Sequence, residues 1–153
     1  MTDQVFDRAE LAEAVGNDIA DMAHFWMLRK FQFLEPACEQ FEIIVDPWLS
    51  YCEEPSQNEI MAYNMAFTDW LLFERPYYHG KTLLELYVDE PPASISPASL
   101  GRLKQVRDTQ YFSRFGILDK DPANGMVALK DTLTDRRFDV YDPHIVQKEH
   151  WND

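Results

Sequence analysis

At 153 residues the chain is sized for one domain, and a 46% apolar fraction with 10 Phe, 7 Tyr and 4 Trp excludes a disordered chain. A formal charge of −13 repels a phosphate backbone and excludes ordinary nucleic-acid binding, while two cysteines alone make neither a disulfide scaffold nor a structural zinc site. Met1–Asp7 shows no signal-peptide pattern, and no apolar run approaches the roughly 18–20 residues of a membrane span, so a cytoplasmic protein without membrane contact is expected.

Residues 8–34 read as one long helix. Leu11, Val15, Ile19, Met22, Trp26 and Phe33 recur at steps of three, four or seven, one face of a 3.6-residue period. Ala23, Phe25, Met27 and Phe31 add apolar residues on other faces, which predicts a helix enclosed by its neighbours as the spine of the core. Glu35-Pro36 restarts a helix whose stripe is Phe41, Ile44, Val45, Trp48 and Cys52, with a kink expected at Pro47. Ser56 and Glu59 form a capping-box pattern opening a third helix to about Phe73, with Ile60, Tyr63, Phe67, Trp70 and Leu71 inward.

Residues Arg75 to Gly80 form a turn-rich connection, and Lys81 to Val88 a short helix stopped by Pro91-Pro92. Ser96-Pro97 is a cap followed by an N1 proline, starting a helix with Leu100, Leu103 and Val106 buried. After Tyr111 strand formers take over. A first strand over 111–119, the turn Asp121–Gly125, a second strand over 126–130 with Val127 and Leu129 on one side, the turn Thr134–Arg136 and a third strand bearing Phe138, Val140 and Asp142 make an antiparallel meander. The fold class is α+β, an N-terminal bundle of about five helices followed by a three-stranded β-meander. One domain is expected over 1–153, with a helical part at 1–110, the meander at 111–142 and a tail at 143–153.

Three stretches together carry a resemblance: Phe67-Thr68-Asp69-Trp70-Leu71-Leu72-Phe73 with Gly80 to Glu85, then Arg107 to Phe115, then Ala128 to Thr134. Over residues 60–142 the chain resembles uncharacterised bacterial and archaeal proteins in which a helical F-x-D-W region precedes a small β unit, some carrying a C-terminal SEC-C zinc-binding motif. No cysteine follows Cys52 here, so that motif is absent and no metal role carries over. The resemblance implies the fold and no particular activity.

Candidate sites follow from residue types. Asp69, Glu74, Arg75, Tyr77, Tyr78 and His79 are the densest polar and aromatic cluster and the candidate ligand- or partner-binding residues. Gly80-Lys81-Thr82 lacks the upstream glycine of a phosphate loop, because Arg75 stands at that position, and reads as a helix N-cap region. Asp18, Asp21 and His24 share a spacing used in dimetal helical bundles, but no second acid-x-x-His accompanies them. No metal or cofactor is therefore assigned. Cys38 lies beside Glu35 and Glu39, which disfavour a thiolate, so both cysteines are expected to be packed. Arg102, Lys104 and Arg107 form a modest basic patch suited to an internal or intersubunit electrostatic partner.

The expected function is a non-enzymatic protein-interaction or regulatory module, with a protein partner or a second copy of the chain. Catalytic motifs are missing, and the loop tyrosines are of the type that anchors interfaces. Two alternatives are a small-molecule site or enzyme pocket around Asp69, Glu74 and His79, and an acidic protein that imitates DNA.

Overall fold

A computed structural model describes residues 7–45 and 53–148. Among these lie five α-helices, α1 (Arg8–Met27), α2 (Leu34–Val45), α3 (Gln57–Phe73), α4 (Leu83–Asp89) and α5 (Pro97–Thr109). Three strands follow, β1 (Phe115–Asp121), β2 (Met126–Asp131) and β3 (Arg137–Tyr141), in the antiparallel order β1-β2-β3. Helices first and a meander last is the α+β fold that the sequence predicts. The chain divides into two compact units, 1–110 and 111–153.

Asp7 starts α1 by accepting hydrogen bonds from the Ala9 and Glu10 amides, at 2.9 and 3.4 Å. The predicted continuous helix over 8–34 does not form. The chain leaves α1 after Met27, makes a 3₁₀ turn at Lys30–Gln32 and enters α2. Arg29 Nη1 donates to the Phe25 carbonyl at 2.8 Å, and its guanidinium lies 3.7 Å above the Phe25 ring, closing the end of α1. The break has a packing cause. In one helix Trp26 and Phe33 would sit about 10 Å apart along the axis, seven residues at the α-helical rise. Instead their ring centroids are 6.1 Å apart, and Phe33 also meets Tyr77 at 5.5 Å. Phe31 is left 95% exposed.

The inward stripe of α2 also differs from expectation. Ala37 and Phe41 are buried, whereas Ile44 and Val45, predicted inward, face solvent beside Ile43. Phe41 decides this rotation, since it meets Tyr63, Phe67 and Trp70 of α3 at 5.2–5.3 Å. The Pro47 kink, Trp48 and Cys52 fall outside the described residues.

The spine of the helical unit is α4 rather than α1. Thr82 and Glu85 make a reciprocal capping box, and the seven-residue helix then buries Leu83, Leu84, Tyr87 and Val88. Burying each such aliphatic side chain is worth roughly 1.5–3 kcal/mol. Met22 and Trp26 of α1 and Leu103 of α5 complete the cluster, and Trp26 Nε1 donates to the Leu83 carbonyl at 3.1 Å. Ser56 with Glu59, and Ser96 with Pro97, start α3 and α5 as their sequences dictate.

In the sheet, Leu129 opposes Ile117 on one side and Phe138 on the other, while Val127 opposes Val140. These pairs share a face, and Val127 is buried. A register shift between Ile117 and Asp119 leaves Leu118 without a partner, a β-bulge. Asp142, expected on the third strand, lies just past Tyr141. Its carboxylate accepts from the His144 and Ile145 amides at 3.0 and 3.1 Å and opens a 3₁₀ turn at Ile145–Gln147 within the predicted tail.

Candidate functional site: an acidic face with exposed apolar side chains

The loop after α3 is a tight hairpin. Tyr77 N donates to the Lys81 carbonyl at 2.8 Å and Lys81 N to the Tyr78 carbonyl at 2.9 Å. The central residues His79 and Gly80 have φ of 50° and 72°, both in the left-handed region that such primed turns require. This turn distributes the six predicted site residues in different directions. Arg75 points inward and is buried, and its Nε donates to Gln40 Oε1 at 2.8 Å. Tyr77 is half-buried against Trp26 and Phe33. Tyr78 and His79 stand in solvent at the turn, their rings 4.0 Å apart, and Glu74 is exposed at the end of α3.

Asp69 is on the exposed side of α3, where partial desolvation raises its pKa above the ordinary 3.8. Neither a cleft beside α1 nor a groove along α3 is lined by Glu74, Arg75, Tyr77, Tyr78 or His79. Asp69 does border one of them. Gly80-Lys81-Thr82 resolves into a turn glycine, a lysine ion-paired with Asp89 and the N-cap of α4.

Asp18, Asp21 and His24 occupy α1 as predicted, but Asp18 is taken by Arg102 of α5 through a bidentate ion pair. Arg102 is thus an internal electrostatic partner, and Arg107 pairs with Asp108. Among the described residues no three His, Cys, Asp or Glu side chains converge to hold a metal ion. Cys38 is exposed rather than packed, and both desolvation and the nearby Glu42 push its thiol pKa up, which keeps it protonated.

What sequence reasoning missed is the set of exposed apolar side chains at the end of α2 and along the outer side of α3. Gln57, Ile60, Met61, Asn64, Met65, Thr68 and Asp69 recur at helical spacing and line a shallow groove of about 440 Å³ along α3. The opposite side of that helix holds Tyr63, Phe67 and Trp70 against Phe41. Met61 and Met65 are 57% and 62% exposed, and Ile43 and Ile44 of α2 are 81% and 64% exposed. The charge of this stretch of sequence has one sign. Residues 31–74 hold nine acidic residues and no lysine, arginine or histidine, and Glu35, Glu39 and Glu42 on α2 are all exposed. That 44-residue absence of bases is the signal in the sequence that could have located the face.

Comparison with protein-family models, with curated proteins and with solved structures finds no match to this chain. The resemblance to the F-x-D-W proteins is therefore carried by the quoted motifs alone.

Proposed function

We propose that the helical unit is a non-enzymatic protein-docking module, which receives a basic, partly apolar partner on the outer face of α3 and the end of α2. The observation that carries this reading is the exposure of Ile43, Ile44, Met61 and Met65 within a stretch of nine acids and no base. Large apolar side chains left in water mark contact surfaces, and methionine adapts to irregular partners. The one-signed field would speed and orient the approach of a cationic partner. A second copy of the chain would bring like charges together, so a basic partner is favoured over self-association. The outward Glu74 and His79 lend no support to a catalytic pocket at the loop.

Native mass spectrometry of the protein from its own host tests this reading. The wild type is expected to carry a basic protein in defined stoichiometry, and Ile44→Glu combined with Met61→Glu to lose it. A wild type that flies as a free monomer, or a variant that keeps the partner, overturns the docking face.

A further inference from the structure

A second feature of the helical unit is independent of the docking reading. Between α1 and the α4–α5 connection lies a cleft of about 540 Å³, within the size range of small-molecule sites. Its lining is mixed, with Phe25, Leu28 and Ile95 apolar and Asp21, His24 and Tyr87 polar. Asp18 also borders the cleft, but Arg102 satisfies its charge. Asp21 is different, making no ion pair among the described residues.

Tyr87 adds a second polar group to the cleft. Its side chain is only 4% exposed, it lines the cleft, and its hydroxyl has no hydrogen-bond partner among the described residues. Among the described residues Arg75 Nη1 is the buried side-chain polar atom without a partner, so the Tyr87 hydroxyl, although its ring is buried, meets the water of the cleft. Burial, with the carboxylates of Asp21 and Asp18, raises the phenol's pKa, so it stays neutral and keeps both a donor hydrogen and acceptor lone pairs.

We propose that this cleft binds a primary ammonium group on a short hydrocarbon body, the ammonium held by Asp21 and the Tyr87 oxygen and the hydrocarbon by Phe25, Leu28 and Ile95. The charge of the site selects the class. An anion would meet Asp21 with no free guanidinium or ammonium among the described residues that line the cleft, and a neutral ligand would desolvate Asp21 without replacing its solvation. An ammonium supplies three donors to a carboxylate and a phenol oxygen that otherwise face only water. The same chemistry ends a lysine side chain, so the test has one arm for a free amine and one for a lysine.

The measurement is calorimetric titration of the full chain with n-hexylamine and, separately, with Nα-acetyl-lysine methylamide, using n-hexanol and hexanoate as controls. Saturable binding of the amine or of the lysine compound is expected, with the controls at least about tenfold weaker. NMR shifts should concentrate at Phe25, Tyr87 and Ile95. Asp21→Asn should weaken binding about tenfold or more and Tyr87→Phe several-fold, both with an unchanged circular dichroism spectrum. Glu54→Gln, outside the cleft, should change nothing. Equal binding of hexanol, full affinity in Asp21→Asn, or shifts scattered over the acidic surface would each overturn the assignment.

Discussion

Arg102 grips Asp18 with two hydrogen bonds, Nε to Oδ2 at 2.6 Å and Nη2 to Oδ1 at 3.1 Å, and so ties α5 to α1 across 84 residues of chain. Burial alone would raise the pKa of Asp18, but the hydrogen bonds from Arg102 and Ser99 and the guanidinium charge outweigh it and hold the carboxyl below 3.8. A depressed folded pKa stabilises the protein at pH values above 3.8, and that contribution is lost as pH falls through the folded value. Arg102→Met removes the partner and leaves a buried charge, so its Tm at pH 7 should fall by several degrees. Adding Asp18→Leu should recover much of that loss, since an apolar pair replaces an uncompensated carboxylate. Thermal melts of the single and double variants check this. A single variant that melts with the wild type would show that the pair contributes nothing.

Asp131 plays the corresponding part in the β unit. Its buried carboxylate accepts from Ser113 Oγ at 2.7 Å, Tyr111 Oη at 3.3 Å, and the Leu133 and Thr134 amides at 2.8 and 3.3 Å. Desolvation opposes ionisation, yet the hydrogen bonds from Ser113, Leu133 and Thr134 prevail and bring the pKa to about 2. The stabilisation is then complete above pH 3.8 and lost between there and about 2. Amide exchange of β2 and β3 from pH 5 to pH 2 should show the sheet loosening over that window. In Asp131→Ala the orphaned donors should already loosen it at neutral pH, and the acid step should vanish. An identical acid profile in the variant would assign the step to another group.

The local signals were legible because each acts over four residues or fewer. Ser56 with Glu59 and Ser96 with Pro97 placed helix starts, and Asp121 to Gly125 placed a turn, all from side chains that satisfy their own backbone. Rotation about a helix axis was not legible. Phe31 and Phe33 are equally apolar in sequence, and the choice between them rests on Trp26 and on Tyr77, 44 residues further along. The loop cluster misled for the same reason. Adjacency of Arg75, Tyr77 and His79 in the chain is not convergence, because a turn with two positive φ values sends successive side chains apart. The cleft was half visible as Asp21 and His24, but Tyr87 comes from another helix and no periodicity links them.

Two glycines separate conformational strain from steric strain. Gly80 and Gly125 both have positive φ, 72° and 66°. An added Cβ at Gly80 meets nothing within 4 Å, whereas at Gly125 it would lie 2.9 Å from Cε2 of Tyr141. Gly80→Ala should therefore cost about 1 kcal/mol, the left-handed penalty alone. Gly125→Ala should cost more, about 2–4 kcal/mol, because Tyr141 at the end of β3 must also move. Urea unfolding of the two variants, followed by circular dichroism, measures the difference. Equal costs would mean that Tyr141 yields freely.

Arg75 gives the prediction most at odds with a simple reading of the sequence. It was a candidate binding residue, yet it is buried, with Nε on Gln40 and Nη1 without a partner among the described residues. Burial lowers its pKa below the ordinary arginine value, and the Tyr77 phenol opposes that only in part. A guanidinium with no carboxylate paired to it among the described residues has given up water without a compensating charge there, and such groups are replaced by apolar side chains of similar length at no loss or with a gain. Arg75→Met should thus leave Tm unchanged or raise it, with a stabilisation of up to about 3 kcal/mol, while Arg75→Ala should lower it by leaving a void beside Gln40. Differential scanning calorimetry at neutral pH separates the two. If Arg75→Met instead falls by more than a few degrees, the guanidinium must be paired with an anion in solution, and that anion becomes the group to identify.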